Sequence, residues 1–185
     1  MALELAHIEE QIAQMRKQLD EISGRTPENR LSMVVFSGDL DKVLASFVLA
    51  TGAVAMGMEV AMFFTFWATP ILRDAKKKEP SKDLMGAMFG KMLPKGMGAA
   101  KLSRMNMGGM GTAIMKSLMK QKNVASLEDL LAIAAELGVK IYVCEMSMNL
   151  MGFTHEEMID YPGLDYVGVA TFLELAMTSR VQLFI

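Results

Sequence analysis

The chain has 185 residues, of which 52% are hydrophobic and 22% charged, with a formal net charge of −2. This composition excludes general disorder and supplies enough apolar side chains for a sizeable core, while the near-neutral charge carries no nucleic-acid footprint. One cysteine excludes an intrachain disulfide framework and any multi-cysteine zinc site.

Residues 3–22 read as a helix. Leu5, Ile8, Ile12, Met15, Leu19 and Ile22 repeat at alternating spacings of three and four, the a/d stripe of a heptad pattern. About three heptads are short for a free coiled coil, so this helix is expected to dock or self-associate. The start, Met1-Ala2-Leu3-Glu4-Leu5-Ala6-His7, has neither the basic nor the apolar region of a secretory signal. The expected compartment is therefore a reducing cytoplasm. Residues 23–30, rich in breakers, read as a linker, and the globular domain is placed at 31–185.

That domain opens with an apolar strand, Leu31–Phe36, followed by a Ser37-Gly38-Asp39 turn with Asp39 as an expected helix N-cap. A helix over 40–56 ends at Gly57, and a second strand covers 59–66. Val43–Leu72 holds a single charged residue, Glu59, so a membrane span must be weighed. The Gly57-Met58-Glu59 break and the aromatic second half favour a helix and a strand covered on both faces. Next comes a basic, methionine-rich insertion. Residues 73–122 hold twelve Lys/Arg against three Asp/Glu and nine of the twenty methionines. Helices are expected over 81–93 and 112–121, with a mobile glycine-rich loop over 97–111. Ser126-Leu127-Glu128-Asp129 resembles a capping box and opens a helix ending near Leu137-Gly138. A buried strand over 139–143 leads through Cys144 into a short helix. A short helix from Thr154, a strand at 164–167, a helix over 168–179 and a strand over 181–185 complete the chain. Strands alternating with helices give right-handed βαβ units, hence a three-layer α/β domain with a parallel sheet of about five strands.

The chemistry is expected at the carboxyl edge of that sheet, where open α/β domains bind ligands. Cys144 ends a strand and enters a helix, and backbone N–H groups there favour the thiolate, which is the nucleophile. A buried, inert cysteine is the opposing reading. The Ser37-Gly38-Asp39 turn lies at the same edge and can receive an anion on its N–H groups. Thr65, Trp67 and Thr69 are candidate pocket walls. Neither a dinucleotide fingerprint nor a phosphate-binding loop motif occurs. His155 can act on the thiol, although the first residue of a helix is more often solvated. The methionines at 105, 107 and 110 suit an adaptable contact surface better than a copper site. The basic run is read as a solvated face or a landing site for an acidic partner or anionic substrate.

The string Ile141-Tyr142-Val143-Cys144-Glu145-Met146-Ser147-Met148, followed by Leu150-Met151-Gly152, resembles the DsrE/DsrF-like sulfur-relay family. The likeness is to its larger branch, often labelled peroxiredoxin-like. Val34–Lys42 and the stretches Val167–Phe172 and Leu183–Ile185 resemble it too, so the similarity spans roughly 31–185. The heptad helix lies outside it. The resemblance implies a flavodoxin-like sheet, a homo-oligomer, and sulfane sulfur carried on Cys144 as a persulfide or thiosulfonate. The expected binding residues are Ser37, Gly38, Asp39, Thr65, Met146, Ser147 and Met148, with no cofactor and no metal. Exchange would be with a TusA-like carrier or a rhodanese, from a thiosulfate- or polysulfide-type donor. The peroxiredoxin label does not translate into chemistry, because no second cysteine is present to resolve an oxidised one. Nucleic acid is not an expected partner, and membrane association is a minor reading. The second functional reading is a non-enzymatic assembly module that uses the heptad helix and the basic methionine-rich loop.

Overall fold

The computed structural model describes the backbone of residues 2–23 and 26–185, and the side chains of 7–8, 10–20, 22 and 26–185. The linker positions Gly24 and Arg25 lie outside the described residues, as does the side chain of the stripe residue Leu5. Helix α1 runs Ala2–Ser23. Its stripe faces solvent in the single chain, with Ile8, Ile12, Met15, Leu19 and Ile22 between 43% and 63% exposed. Strand β1, Glu28–Val35, begins three residues earlier than the linker reading allowed. Its first residues are polar, so apolar periodicity missed them. Their register with the neighbouring strands, Arg30 opposite Glu59 and Glu28 opposite Ser179, places them in the sheet.

Helix α2, Leu40–Ala55, follows. Its buried residues Leu40, Val43, Phe47 and Ala50 repeat at the three-to-four spacing of a core-facing stripe. Phe47 packs on Phe64, ring centroids 6.2 Å apart. Strand β2, Glu59–Phe64, is buried at every position after the first, as a parallel strand covered on both faces must be. The apolar stretch weighed as a membrane span is thus divided between α2, β2 and a 3-10 segment, Phe66–Leu72. No helix among the described residues is long and apolar enough to cross a membrane.

The basic insertion contains α3, Leu84–Met92, and α4, Met110–Gln121. The stretch read as a mobile loop holds two 3-10 turns, Met97–Ala99 and Met107–Gly109. Side chains tie it down: Thr112 Oγ1 accepts from Leu102 N–H at 3.0 Å, and Asp41 takes both the N–H and the hydroxyl of Ser103. Helix α5, Leu127–Glu136, opens with the expected capping box, in which Ser126 and Asp129 exchange hydrogen bonds. Then come β3, Lys140–Cys144; α6, Glu145–Leu150; β4, Leu164–Val167; α7, Val169–Thr178; and β5, Ser179–Phe184.

The sheet is wholly parallel with order β4-β3-β2-β1-β5. The chain moves in one direction from β1 to β4, and then α7 carries it back to set β5 on the far side of β1. Helices α2 and α5 pack together over one face. Helix α7 covers the other through Phe172, stacked on Phe63 at 4.7 Å. Its outer side chains Val169, Leu173 and Met177 are 58%, 51% and 82% exposed.

Candidate functional site

The carboxyl ends of β1, β2 and β3 lie side by side, so one edge gathers Ser37, Thr65 and Cys144. Cys144 is the last residue of β3 and the N-cap of α6, with φ −69° and ψ 107°. It pairs in register with Val167 of β4. Strand alternation turns Ile141 and Val143 toward the main core and Tyr142 and Cys144 toward the α7 face. There Cys144 joins Phe63, Phe172 and Ala176, flanked by Val34 and Val167. Cys144 is 3% exposed.

An apolar cover of this kind raises a thiol pKa by disfavouring the anion. Here burial pushes it up, but four donors more than offset it. The hydroxyl and N–H of Ser147, the Thr65 hydroxyl and the Met146 N–H stabilise the anion, and the thiol is held below its ordinary value. Ser147 is fully buried and Thr65 is 8% exposed, and their hydroxyl oxygens are 2.9 Å apart. Neither hydroxyl is free to swing into solvent, so the two are oriented before any substrate arrives. Phe66, next to Thr65, has a φ of 44°, a strained conformation for an aromatic residue. It turns the chain sharply out of β2 while Thr65 keeps its place beside the sulfur.

Removing the Ser147 hydroxyl tests this electrostatic arrangement. Ser147→Ala deletes one donor to the sulfur and leaves Thr65 without its partner. The inflection in the pH dependence of Cys144 alkylation is expected to move to higher pH, with slower alkylation below it. An unmoved inflection means that the hydroxyl does not stabilise the thiolate.

The other sequence-predicted residues divide into three groups. Met146 is 57% exposed beside the equally open Leu150, so α6 presents a small apolar surface next to the sulfur. Met148 is 2% exposed and packs in the main core; its side chain is not offered to a ligand. Ser37, Gly38 and Asp39 lie two strands from Cys144, about 10 Å across the sheet, and line a separate cavity. Asp39 occupies the N-cap position of α2 but makes no capping bond. Its carboxylate instead accepts from the Ser37 hydroxyl at 2.7 Å and pairs with Lys42 at 3.1 Å. The missing side chain of Gly38 makes room for the Trp67 carbonyl, which an added Cβ would meet at 2.3 Å. Trp67 faces that second cavity, while Thr69 is fully buried. His155 stacks on Tyr166 with ring centroids 3.7 Å apart and is not among the groups bonding Cys144. Among the described residues, no three His, Cys, Asp or Glu side chains are placed to hold a metal ion.

One feature of this edge had no signal in the sequence. Arg73 and Glu157 are fully buried and meet at 3.2 Å. Lys82 reaches Glu157 at 2.7 Å, and Glu79 takes Arg73 at 2.6 Å. Arg73 and Lys82 both sit over the ring of Phe153, at 4.6 and 4.7 Å. The cluster clamps the basic insertion to the turn that follows α6. That junction is close: an added Cβ on Gly152 would meet the Gly86 Cα of α3 at 2.7 Å. Lys82, one of the lysines read as a solvated face, is structural here.

Comparison with known proteins adds to the geometry. A model of the DsrE/DsrF/DrsH-like family matches residues 27–184. The chain is 42% identical over 156 residues to the uncharacterized protein YrkE of Bacillus subtilis, covering 84% of this chain and 96% of that protein. It is 36% identical over 164 residues to the sulfur carrier protein DsrE2 of Allochromatium vinosum, covering 85% and 99% of the two chains. The crystal structure of the ychN protein from E. coli superposes with a TM-score of 0.52 at 10% identity, over 84% of this chain and 98% of that one. At that identity the match speaks for the fold alone.

Proposed function

We propose that this chain, which belongs to the DsrE/DsrF/DrsH-like family, is a sulfur-relay protein that carries sulfane sulfur on Cys144. The observation that carries the reading is the placement of Cys144 at the carboxyl end of β3 and the start of α6, beside the buried and mutually bonded hydroxyls of Thr65 and Ser147; these groups hold the thiol below its ordinary pKa despite burial. The similarity to a sulfur carrier at 36% identity supports it.

The chemistry needs one thiol. The Cys144 thiolate attacks the sulfane sulfur of thiosulfate, forming a sulfur–sulfur bond while sulfite leaves with the electron pair of the broken one. A polysulfide or a partner's persulfide reacts in the same way, with its own thiolate as leaving group. In discharge, an acceptor thiolate attacks the outer sulfur of the Cys144 persulfide and Cys144 leaves as the thiolate. The hydroxyls of Ser147 and Thr65 and the amides of Ser147 and Met146 stabilise that anion at both ends of the cycle. With a single cysteine in the chain, the acceptor is another protein, of the TusA-like or rhodanese type. A docking partner finds Met146 and Leu150 exposed on α6 and Leu84, Met85, Met88 and Met92 exposed on α3. The lysines of the insertion favour an acidic surface. Because Cys144 is buried in one cluster with Phe172 and Ala176 of α7, loading also requires α7 to yield.

Intact-protein mass spectrometry after incubation with thiosulfate, tetrathionate and polysulfide tests the reading. A reductant-reversible sulfur adduct is expected. Failure to load from any donor would shift the reading to the binding module, with Cys144 a core residue.

Assembly belongs to the same proposal. The exposed stripe of α1 and the open outer face of α7 are apolar surfaces that a second copy of the chain can cover. Deleting residues 1–22 is expected to lower the oligomeric state or weaken assembly in sedimentation velocity. An unchanged profile removes α1 from the interface.

A further inference from the structure

The sheet reverses direction beside β1: β2, β3 and β4 are laid down on one side of it and β5 on the other. In open α/β sheets the crevice outside the strand ends at such a reversal is where ligands bind. Cys144, at the end of β3, is not there. What lies there is a cavity of about 680 Å³, within the range that small-molecule sites occupy. It is lined by Lys42, Lys91, Lys95 and Lys101 and by the aromatic residues Phe36 and Trp67.

The charges in this cavity do not balance. Lys42 is paired with Asp39 at 3.1 Å. Lys95 is turned toward the Lys77 carbonyl at 2.6 Å and Glu79 at 3.6 Å. Lys91 and Lys101 have no ion pair among the described residues. Two cations without counter-ions in the lining of one cavity favour a ligand bearing at least two negative charges. Trp67, which lines the same cavity, is 49% exposed, and an indole at such a wall can stack on a planar group. Inorganic oxyanions would satisfy the lysines and leave the aromatic wall bare.

We propose that this cavity is a second ligand site, distinct from Cys144, that takes a nucleotide-class ligand: a planar base against Trp67 and Phe36, with its phosphates between Lys91 and Lys101. Each of the two lysines can take one phosphate group of a nucleoside diphosphate. The proposal is independent of the sulfur reading, since no residue of the thiolate environment lines the cavity.

Trp67 is the only tryptophan of the chain, so its fluorescence reports directly on the site. Titration with ADP, read by that fluorescence and by calorimetry, is expected to show saturable binding. Pyrophosphate is expected to bind more weakly with little fluorescence change, and adenosine more weakly still. The Lys91→Glu, Lys101→Glu double variant replaces two exposed side chains, so its fold is expected to survive, as circular dichroism will show. Its affinity for ADP should fall about tenfold or more. Cys144→Ser should bind ADP like the wild type while losing sulfur loading, which separates the two proposals. The site is overturned if ADP gives no saturable heat or fluorescence change, or if the double variant binds it unchanged. Pyrophosphate binding as tightly as ADP overturns the aromatic half of the assignment.

Discussion

Replacing Cys144 with serine is expected to abolish sulfur loading outright while leaving the fold intact. Serine occupies nearly the same volume at the end of β3 and can still bond the donors around it, so the stability cost should be about 1 kcal/mol. The hydroxyl has no accessible anion at neutral pH and does not attack a sulfane sulfur. In intact-mass spectra after donor incubation, the wild type should gain a reductant-reversible adduct and the variant none. Loading retained by the variant would sink the mechanism. The pH dependence follows from the direction of the Cys144 shift. A thiol pKa lowered in the folded protein contributes stability above the unfolded value, and this is lost as pH falls through the folded one. Loading should fade over the same descent, as the thiolate is protonated.

The second large effect is expected in the buried ion cluster. Glu157→Gln leaves Lys82, 5% exposed at the side chain, without a carboxylate, and leaves the fully buried Arg73 with Glu79 alone. An uncompensated buried charge typically costs about 3–5 kcal/mol. For a chain of this size that is a fall in melting temperature on the order of 10 °C. The double variant Arg73→Met, Glu157→Leu removes both charges of the central pair and should be less damaging than the sum of its single variants. Thermal unfolding of the four proteins in a double-mutant cycle provides the check. Strict additivity would show that the two residues do not act as a pair. The destabilisation should fall first on the insertion, because this cluster ties it to the turn after α6.

The legible parts of the molecule were those governed by local periodicity. The near-continuous apolar run of β2, the stripe of α2 and the Ser126–Asp129 capping box are properties of neighbours within a turn or two, and the expected elements coincide with α2, β2 and α5. The place of Cys144 between a strand and a helix was legible for the same reason. The polar beginning of β1 was not, since Glu28 and Asn29 have no apolar pattern and join the sheet through their strand partners. Nor was the use of Asp39, whose carboxylate chooses Ser37 and Lys42 over the helix end it precedes.

Composition and local pattern thus determined an α/β chain with a parallel sheet and a thiol at the carboxyl end of a strand. Tertiary structure decided what surrounds that thiol. Thr65 and Ser147 are 82 residues apart and meet at 2.9 Å only because β2 and β3 are laid side by side. Arg73 and Glu157, 84 residues apart, become a buried pair because the insertion folds back onto the turn after α6. The separation of the Ser37-Gly38-Asp39 turn from Cys144 is likewise a matter of strand order, with β2 standing between β1 and β3. Periodicity reports which face of an element is apolar. Which element it faces is settled by the crossovers and by the closing of the core, and those are properties of the whole chain.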